Sequence, residues 1–540
     1  MDESSAVDRS ALETSAPDTI AAAIRNAPKR FGERPAVLDR GRQISYAQFA
    51  DQIRQVAGAL IVRGIGPGDR VCLWAPNRLE WMLVSLGAQY LGAALVPLNT
   101  RYRGAEAADV LARTRARLLV VDQSFLDTDY VGMLPQAGAD PGLALTTILN
   151  LTGDDPRCLS WKDFLAAVRP EHIEQAERFA DRVHPDDIAD ILFTSGTTGR
   201  SKGAMATHRQ TLGQAEGWSV RARLRAEDRY LIVNPFFHSF GYKAGYLACL
   251  LRGALIVPQP VFDVGTILDL VERERITVLP GPPAIYQALL EDSSLPERDL
   301  SSLRLAVTGA AMVPQTLIRR IGDELRIDDT LTAYGLSEAP VVTMCTQDDD
   351  DHTVATTCGR PLEWAEVRTL GPQGFTESGV PGEVLIRGPH VMLGYLDDPA
   401  GTAAAIDAEG WLHTGDVGVL DPRGYLRITD RIKDMFTVGG FNVYPAEVEQ
   451  VISSHPAVRD CAVIGVPDER LGEVGRAYVC TRQDANLDDD LVVAQVVAHC
   501  RERLANFKVP RTVVLVAELP RNAGGKVAKF QLREQALRGQ

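Results

Sequence analysis

The sequence predicts an α/β protein: a large N-terminal domain of parallel sheets covered by helices, a β-rich subdomain, and a small α+β C-terminal domain. Three observations lead there. Val/Ile/Leu-rich runs alternate with amphipathic helical stretches over most of the chain, the pattern of strands buried on both faces. Near residue 360 the texture shifts to short strands separated by Gly and Pro, as in GEVLIRG and GYLRITDR. After Tyr444 the alternation resumes in a tail of about 100 residues with its own apolar core. Residues 1–18 are expected to be disordered, 19–430 to form the large domain and 431–540 the small one.

In chain order, TIAAAIRNAPKRFG reads as a helix stopped by Pro28 and Gly32. RVCLWAP, AALVPLN and RLLVVD read as strands, with the helices EWMLVSLGAQYLG and AEAADVLARTR between them. The rhythm returns at LIVNPFF, GALIVPQ, ILDLVERERI, TVLPGPP and LRLAVTGAA. FTVGGFNVYP closes the β-rich stretch. In the tail, PAEVEQVISSHP and LVVAQVVAHCRERLA are helices, and VRDCAVIGVPD, RAYVCTR and TVVLVAELP are strands.

Length and charge narrow the function. At roughly 150 residues per domain, 540 residues make two to four folding units. The net charge of −14 argues against a general nucleic-acid or anionic-membrane binder, whose surface needs a basic excess. The eight cysteines form no C-x-x-C pair, so neither a zinc site nor a disulfide scaffold is indicated, and a reducing compartment is the simplest reading. The acidic, polar N-terminus lacks an apolar targeting region, and LACLLRGALIVP breaks at Arg252 and Pro258 before it could span a membrane. A cytoplasmic protein without stable membrane insertion is expected. The run of aspartates at 348–351 reads as a solvated loop.

The most informative segment is ILFTSGTTGRSKG, residues 191–203. An apolar run ends in Thr194, Ser195, Gly196, Thr197, Thr198 and Gly199, and Lys202 follows shortly. Glycine lets backbone approach an anion, hydroxyls and N–H groups donate, and lysine adds charge. The spacing is not that of a Walker A loop. Taken alone, the segment is either a phosphate cradle or an unusually long Ser/Thr/Gly turn.

TSGTTGRSKG resembles the phosphate loop of the adenylate-forming superfamily: acyl-CoA synthetases, luciferases and nonribosomal adenylation domains. Further motifs follow in that family's order: NPFFHSFGY (234–242), TGAA (308–311), TAYGLSE (332–338), GWLHTGD (410–416), ITDRIKDMFTVGGFNVYPAEVE (428–449) and LPRNAGGKV (519–527). The resemblance covers nearly the whole chain after about residue 20 and implies two half-reactions. A carboxylate attacks the α-phosphorus of ATP, giving acyl-AMP and pyrophosphate. A thiol then displaces AMP. ATP, Mg²⁺ and coenzyme A are the implied co-substrates and cofactor, a small carboxylic acid is the substrate, and a homodimer is compatible with the family.

The resemblance assigns roles residue by residue. Glu338 and Thr198 are the expected Mg²⁺ ligands, and Ser337, where the family more often has Thr, and Thr198 donate to phosphate. Asp416 accepts the ribose hydroxyls, reinforced by Arg431. Tyr334 stacks on adenine, flanked by Ala333 and Gly335, while Gly309, Ala310 and Ala311 are small enough to admit the purine. His238 stands beside the substrate carboxylate, with Phe237 and Gly309 in the acyl pocket. Lys526, on composition alone an exposed lysine, bridges carboxylate and α-phosphate during adenylation. Lys433 is the hinge on which a mobile C-terminal domain turns, and Gly439 and Gly440 line the thiol tunnel.

The chain ends fourteen residues after Lys526, so a free thiol such as coenzyme A is the expected acceptor, with a carrier protein as the alternative. No carboxylate follows His238 in SFGYKAGY to hold an amino-acid ammonium. VNPFFHSFGYKAGYLACL, ITVLPGPPAIYQALL and TVATTCGRP are similar to actinobacterial ligases of steroid catabolism, which activate the propanoate side chain of a bicyclic methylhexahydroindanedione. Medium-chain fatty acids and aryl acids are the alternatives, and a nucleotide-binding pseudoenzyme is the reading from another class. Lys243, to which no general family role belongs, either snorkels to water or points into the acyl pocket to donate to a ring ketone.

Overall fold

In a computed structural model, the described residues are 17–136, 144–194, 201–309, 313, 315–431, 434–438, 441–443, 445–468, 471–482, 489–504, 506–521 and 526–538. They form two compact units. One takes the chain through Ser219, with 224–227 and 235–260. The other takes 220–223, 228–234 and 261 onward.

The first unit opens on the helix Ile20–Phe31, capped by Thr19, whose hydroxyl accepts from Ala22 N at 3.0 Å. Pro28 lies inside this helix and does not stop it. Near the end of a helix proline forfeits one backbone hydrogen bond, and here the buried face of Ile20, Ala21, Ala23, Ile24 and Ala27 holds the turn in place. Gly32, at φ 51°, ends it. The helix Tyr46–Val62 starts from a reciprocal cap: Gln48 N donates to Ser45 Oγ at 3.2 Å, and Ser45 N donates to Gln48 Oε1 at 3.0 Å.

Within this unit Ile188–Thr194, Ala94–Pro97, Arg70–Trp74, Leu118–Val121, Thr147–Asn150 and Leu159–Ser160 are neighbours in that order, each pair parallel. Lys202–Thr207 adds an antiparallel strand to Ile188–Thr194. Every residue of Leu118–Val121 is 0% exposed. Complete burial of such a side chain contributes about 1.5–3 kcal/mol, and both faces of the strand must be apolar to gain it.

The second unit carries Arg360–Pro361, Ala339–Met344, Asp329–Leu336, Leu305–Gly309, Val278–Pro280 and Arg229–Ile232 as adjacent strands, parallel from Asp329–Leu336 to Arg229–Ile232. The β-rich stretch is an antiparallel sheet of Gly374–Phe375, Glu366–Gly371, Gly382–Arg387, Leu412–Leu420 and Leu426–Arg431. The tail pairs Val458–Asp468 with Gly472–Thr481 and packs Pro445–Ser453 and Asp489–Arg503 on a core that includes Val448, Ile452, Val463, Val479, Val496 and Cys500.

The aspartate run is a largely exposed turn, as expected, and it leads into a short helix. Asp350 caps the helix Asp351–Thr356, accepting from Thr353 N at 2.7 Å, Asp349 accepts from Thr346 N at 2.8 Å, and Asp348 pairs with Arg223 at 2.5 Å. Among the described residues no helix is long and apolar enough to cross a membrane.

His208 ties two helices of the first unit together. It begins the helix His208–Arg221, is fully buried, and its Nδ1 accepts from Ile20 N at 3.3 Å. Burial pushes its pKa down to about 4, against a smaller opposing effect of Asp187. A depressed folded pKa gives stability that is complete above the unfolded value near 6.5 and is lost as pH falls toward the folded one. Chemical denaturation at pH 7 and pH 5 should show the wild type losing roughly 2 kcal/mol that His208→Gln does not lose. Parallel losses in both proteins would mean that the imidazole titrates alike folded and unfolded.

Candidate active site

The second unit brings several of the expected residues together. Tyr334 sits near the end of Asp329–Leu336, and its hydroxyl donates to Asp416 Oδ2 at 2.6 Å. Asp416 is 4% exposed and lies opposite Arg431 in the antiparallel register of Leu412–Leu420 with Leu426–Arg431. Only the backbone position of Arg431 is described. A carboxylate this buried is costly unless donors satisfy it. Tyr334 supplies one from its phenol tip while its ring stays half-buried.

Gly309 and Ala333 are paired neighbours on parallel strands, and a β-carbon at Gly309 would stand 2.5 Å from the Ala333 carbonyl oxygen. Strand packing alone therefore demands glycine there. Gly335 is likewise required, because a β-carbon would meet Val341 N at 2.4 Å in the hairpin that follows. Ser337 and Glu338 form the turn of that hairpin, between Asp329–Leu336 and Ala339–Met344. Glu338 is half-buried, its Oε1 accepting from the Tyr395 hydroxyl at 2.8 Å while its carbonyl accepts from Met392 N at 2.7 Å. Burial, then the Glu338 charge, pushes the Tyr395 phenol well above its ordinary value, so it remains a donor. Magnesium takes one or two protein carboxylates and completes its shell with phosphate oxygens and water. A half-buried glutamate oriented by a phenol fits that demand, and no group of three or more metal-ligating side chains occurs among the described residues.

The first unit holds the stems of the glycine-rich segment. Thr194 and Lys202 are paired across the antiparallel strands, and Thr194 Oγ1 donates to Lys202 O at 3.4 Å. Ser195, Gly196, Thr197, Thr198 and Gly199 lie outside the described residues. Arg113, which the motifs do not include, donates to Ser201 O at 2.6 Å and lies 5.0 Å above the Phe193 ring, so one guanidinium touches both stems. His238 is exposed and caps the short turn Ser239–Gly241, its Nδ1 accepting from Phe240 N at 3.2 Å, which leaves the ring proton on Nε2. Phe237 beside it is half-buried.

Lys243 corrects the sequence reading. It is 1% exposed, so it does not snorkel, and its ammonium stands 3.1 Å from Asp190 Oδ1, off the alignment of a good hydrogen bond. Asp190 Oδ2 accepts from Thr211 Oγ1 at 2.6 Å and from the Tyr242 hydroxyl at 3.3 Å. Burial pushes the lysine pKa down, and Asp190 opposes the shift. The protein itself supplies the counter-charge for which a substrate ketone was invoked, so the case for Lys243 in the acyl pocket falls. The segment Tyr242–Leu247 is a π-helical turn with Gly245 off helical geometry at φ −100°, ψ −109°, and this turn seats Lys243 in the core.

Lys526 is exposed next to Val527, which bridges to Arg521. Ala310, Ala311, Lys433, Gly439 and Gly440 lie outside the described residues. Glu383 and His413 stand beside Asp416 without having been singled out. His413 lies within GWLHTGD, and Glu383, in GEVLIRG, carried no motif signal.

Comparisons with known proteins show the family. A family model described as AMP-binding enzyme matches residues 24–396, and one for the AMP-binding enzyme C-terminal domain matches 447–526. The chain belongs to the AMP-binding enzyme family. Within it, the chain is 51% identical over 525 residues to the 3-[(3aS,4S,7aS)-7a-methyl-1,5-dioxo-octahydro-1H-inden-4-yl]propanoyl:CoA ligase of Rhodococcus jostii, covering 97% of this chain and 99% of that protein. It is 50% identical to the ligase of the same name from Mycobacterium tuberculosis, covering 96% and 98%. Among solved structures, the anthranilate CoA ligase AuaEII in complex with anthranoyl-AMP superposes with a TM-score of 0.87 at 28% identity, covering 96% and 97%.

Removing one partner of the buried pair should be costly. Lys243→Met should lower unfolding free energy by about 3–5 kcal/mol, and Lys243→Met with Asp190→Leu should recover most of it, both read by chemical denaturation. A loss below about 1 kcal/mol in the single variant would show that the pair is hydrated.

Proposed function

We propose that this chain is an ATP-dependent acid–CoA ligase whose substrate is a bicyclic indanedione propanoate. The observation that carries the reading is identity of about half over nearly the full length with two ligases named for that acid. The buried Asp416 carboxylate, held by Tyr334, supports the nucleotide half of the reaction.

The first step brings a carboxylate anion to a polyanion, so the protein must screen charge before a bond forms. Main-chain N–H groups and hydroxyls of Ser195–Gly199, with Lys202, cradle the phosphates. Asp416 accepts from the ribose hydroxyls, and the Tyr334 ring, fixed at its hydroxyl end, offers a face to adenine. Glu338 and Thr198 would hold Mg²⁺, which supplies charge neutralisation at the phosphates. His238 donates from Nε2 to the acid. Lys526 arrives on the C-terminal domain and bridges carboxylate and α-phosphate. In the second step that domain, 431–540, turns about Lys433, and coenzyme A reaches the adenylate along Gly439 and Gly440. The cytoplasm is the proposed location, and a homodimer is one assembly compatible with this reading.

The test is CoA-dependent AMP release across an indanedione propanoate, a medium-chain fatty acid and an aryl acid. The bicyclic acid should give the highest kcat/KM. A higher value for either other acid overturns the substrate assignment, and no AMP release with any acid overturns the enzyme reading. Lys526→Ala should slow adenylation by roughly 10²–10³, the loss of one charged contact at a transition state. Supplying acyl-AMP and CoA should restore much of the rate, and an unimpaired first step would remove Lys526 from its role.

A further inference from the structure

The strands Gly382–Arg387 and Leu412–Leu420 lose register where Asp416 sits. Glu383 pairs with Val417 and Leu385 with His413, so Thr414, Gly415 and Asp416 together oppose the single residue Val384. Bulges of this kind re-aim a side chain and recur beside active sites. Gly415 turns at φ 67°, which a residue with a β-carbon adopts only under strain. Thr414 Oγ1 donates to Val384 O at 2.7 Å and accepts from Asp416 N at 3.0 Å.

One side chain fills the bulge from the opposite strand. Glu383 Oε1 accepts from Gly415 N at 3.1 Å, and its Oε2 stands 3.0 Å from His413 Nδ1. The other ring nitrogen of His413 is 3.5 Å from Asp407 Oδ2. The Glu383 carboxylate thus joins the backbone turn just before Asp416 to the imidazole at the start of the bulge.

We propose that Glu383 is a positioning residue for nucleotide binding: with His413 as counter-charge, it holds the Thr414–Asp416 bulge so that Asp416 is aimed at the ribose. The proposal rests on the ligase reading above and adds to it a residue outside the motifs quoted for the resemblance. The charged groups facing His413 are Glu383 from the neighbouring strand and Asp407 from the preceding turn. Burial works against its charge, Glu383 and Asp407 favour it, and the net shift is upward from 6.5. The clamp is therefore complete below the folded pKa of His413 and weakens as pH rises through it.

The experiment uses the full chain, with AMP titrated calorimetrically and KM measured separately for ATP and acid. Glu383→Ala should raise the AMP Kd and the ATP KM about tenfold, with the acid KM unchanged. Wild-type ATP KM should rise with pH, and Glu383→Gln, which keeps an acceptor for Gly415 N but removes the charge, should move that rise to lower pH. Equal increases in both KM values, or no change in either, overturn the proposal. If Glu383→Ala does not fold, Glu383→Gln decides alone, and a pH profile unmoved from wild type overturns it. Wild-type chain that binds no AMP overturns the ligase reading as well, whereas normal wild-type binding with indifferent variants overturns only the role of Glu383.

Discussion

The hydrogen bond from the Tyr334 hydroxyl to the Asp416 carboxylate is the contact on which the proposed nucleotide site depends. An anion that is 4% exposed is costly unless donors hold it. The bond crosses from the strand Asp329–Leu336 to Leu412–Leu420, so it joins the parallel sheet of the second unit to its antiparallel sheet. It also fixes the phenol end of the ring that is proposed to stack on adenine. Glu338 is managed in the same way, by the phenol of Tyr395. In both places a tyrosine hydroxyl donates to a carboxylate and orients it, which suits the roles proposed for the two groups.

The first unit handles charge differently. Lys243 and Asp190 are both buried to within 1% and neutralise each other inside the core. Asp190 lies on Ile188–Thr194, the strand that ends at the glycine-rich segment, and Lys243 lies on the π-turn five residues past His238. Arg113 joins the two flanks of that segment through Ser201 and Phe193. Buried ion pairs add less stability than their Coulomb energy suggests, but a lone buried charge is severely penalised, so each member fixes where the other must be.

The strands Arg70–Trp74, from Val71 onward, and Leu118–Val121 were legible because complete burial leaves an unbroken apolar run. The β-rich stretch was legible because its turns need Gly and Pro. Pro28 was misread because the penalty of proline near a helix end is small beside the apolar face that holds Ile20–Phe31. The aspartate run was legible as a solvated turn, but its capping role is invisible until the helix Asp351–Thr356 is known. Lys243 failed for another reason: its partner Asp190 is remote in sequence, and no local pattern announces a buried counter-charge. Glu383 was silent likewise, since its importance comes from the opposite strand. The motifs named Asp416, Tyr334 and Glu338, but the phenol contacts that orient the two carboxylates are tertiary.

The central claim is that Asp416 is the anchor for the nucleotide. The most direct measurement is calorimetric titration of AMP into the full chain and into Asp416→Asn, which keeps the shape and one acceptor oxygen but loses the charge. The account expects a melting temperature within a few degrees of wild type and an AMP Kd raised by about 100-fold or more, the loss of two charge-assisted hydrogen bonds. An Asp416→Asn variant that folds and binds AMP as tightly as wild type would contradict it.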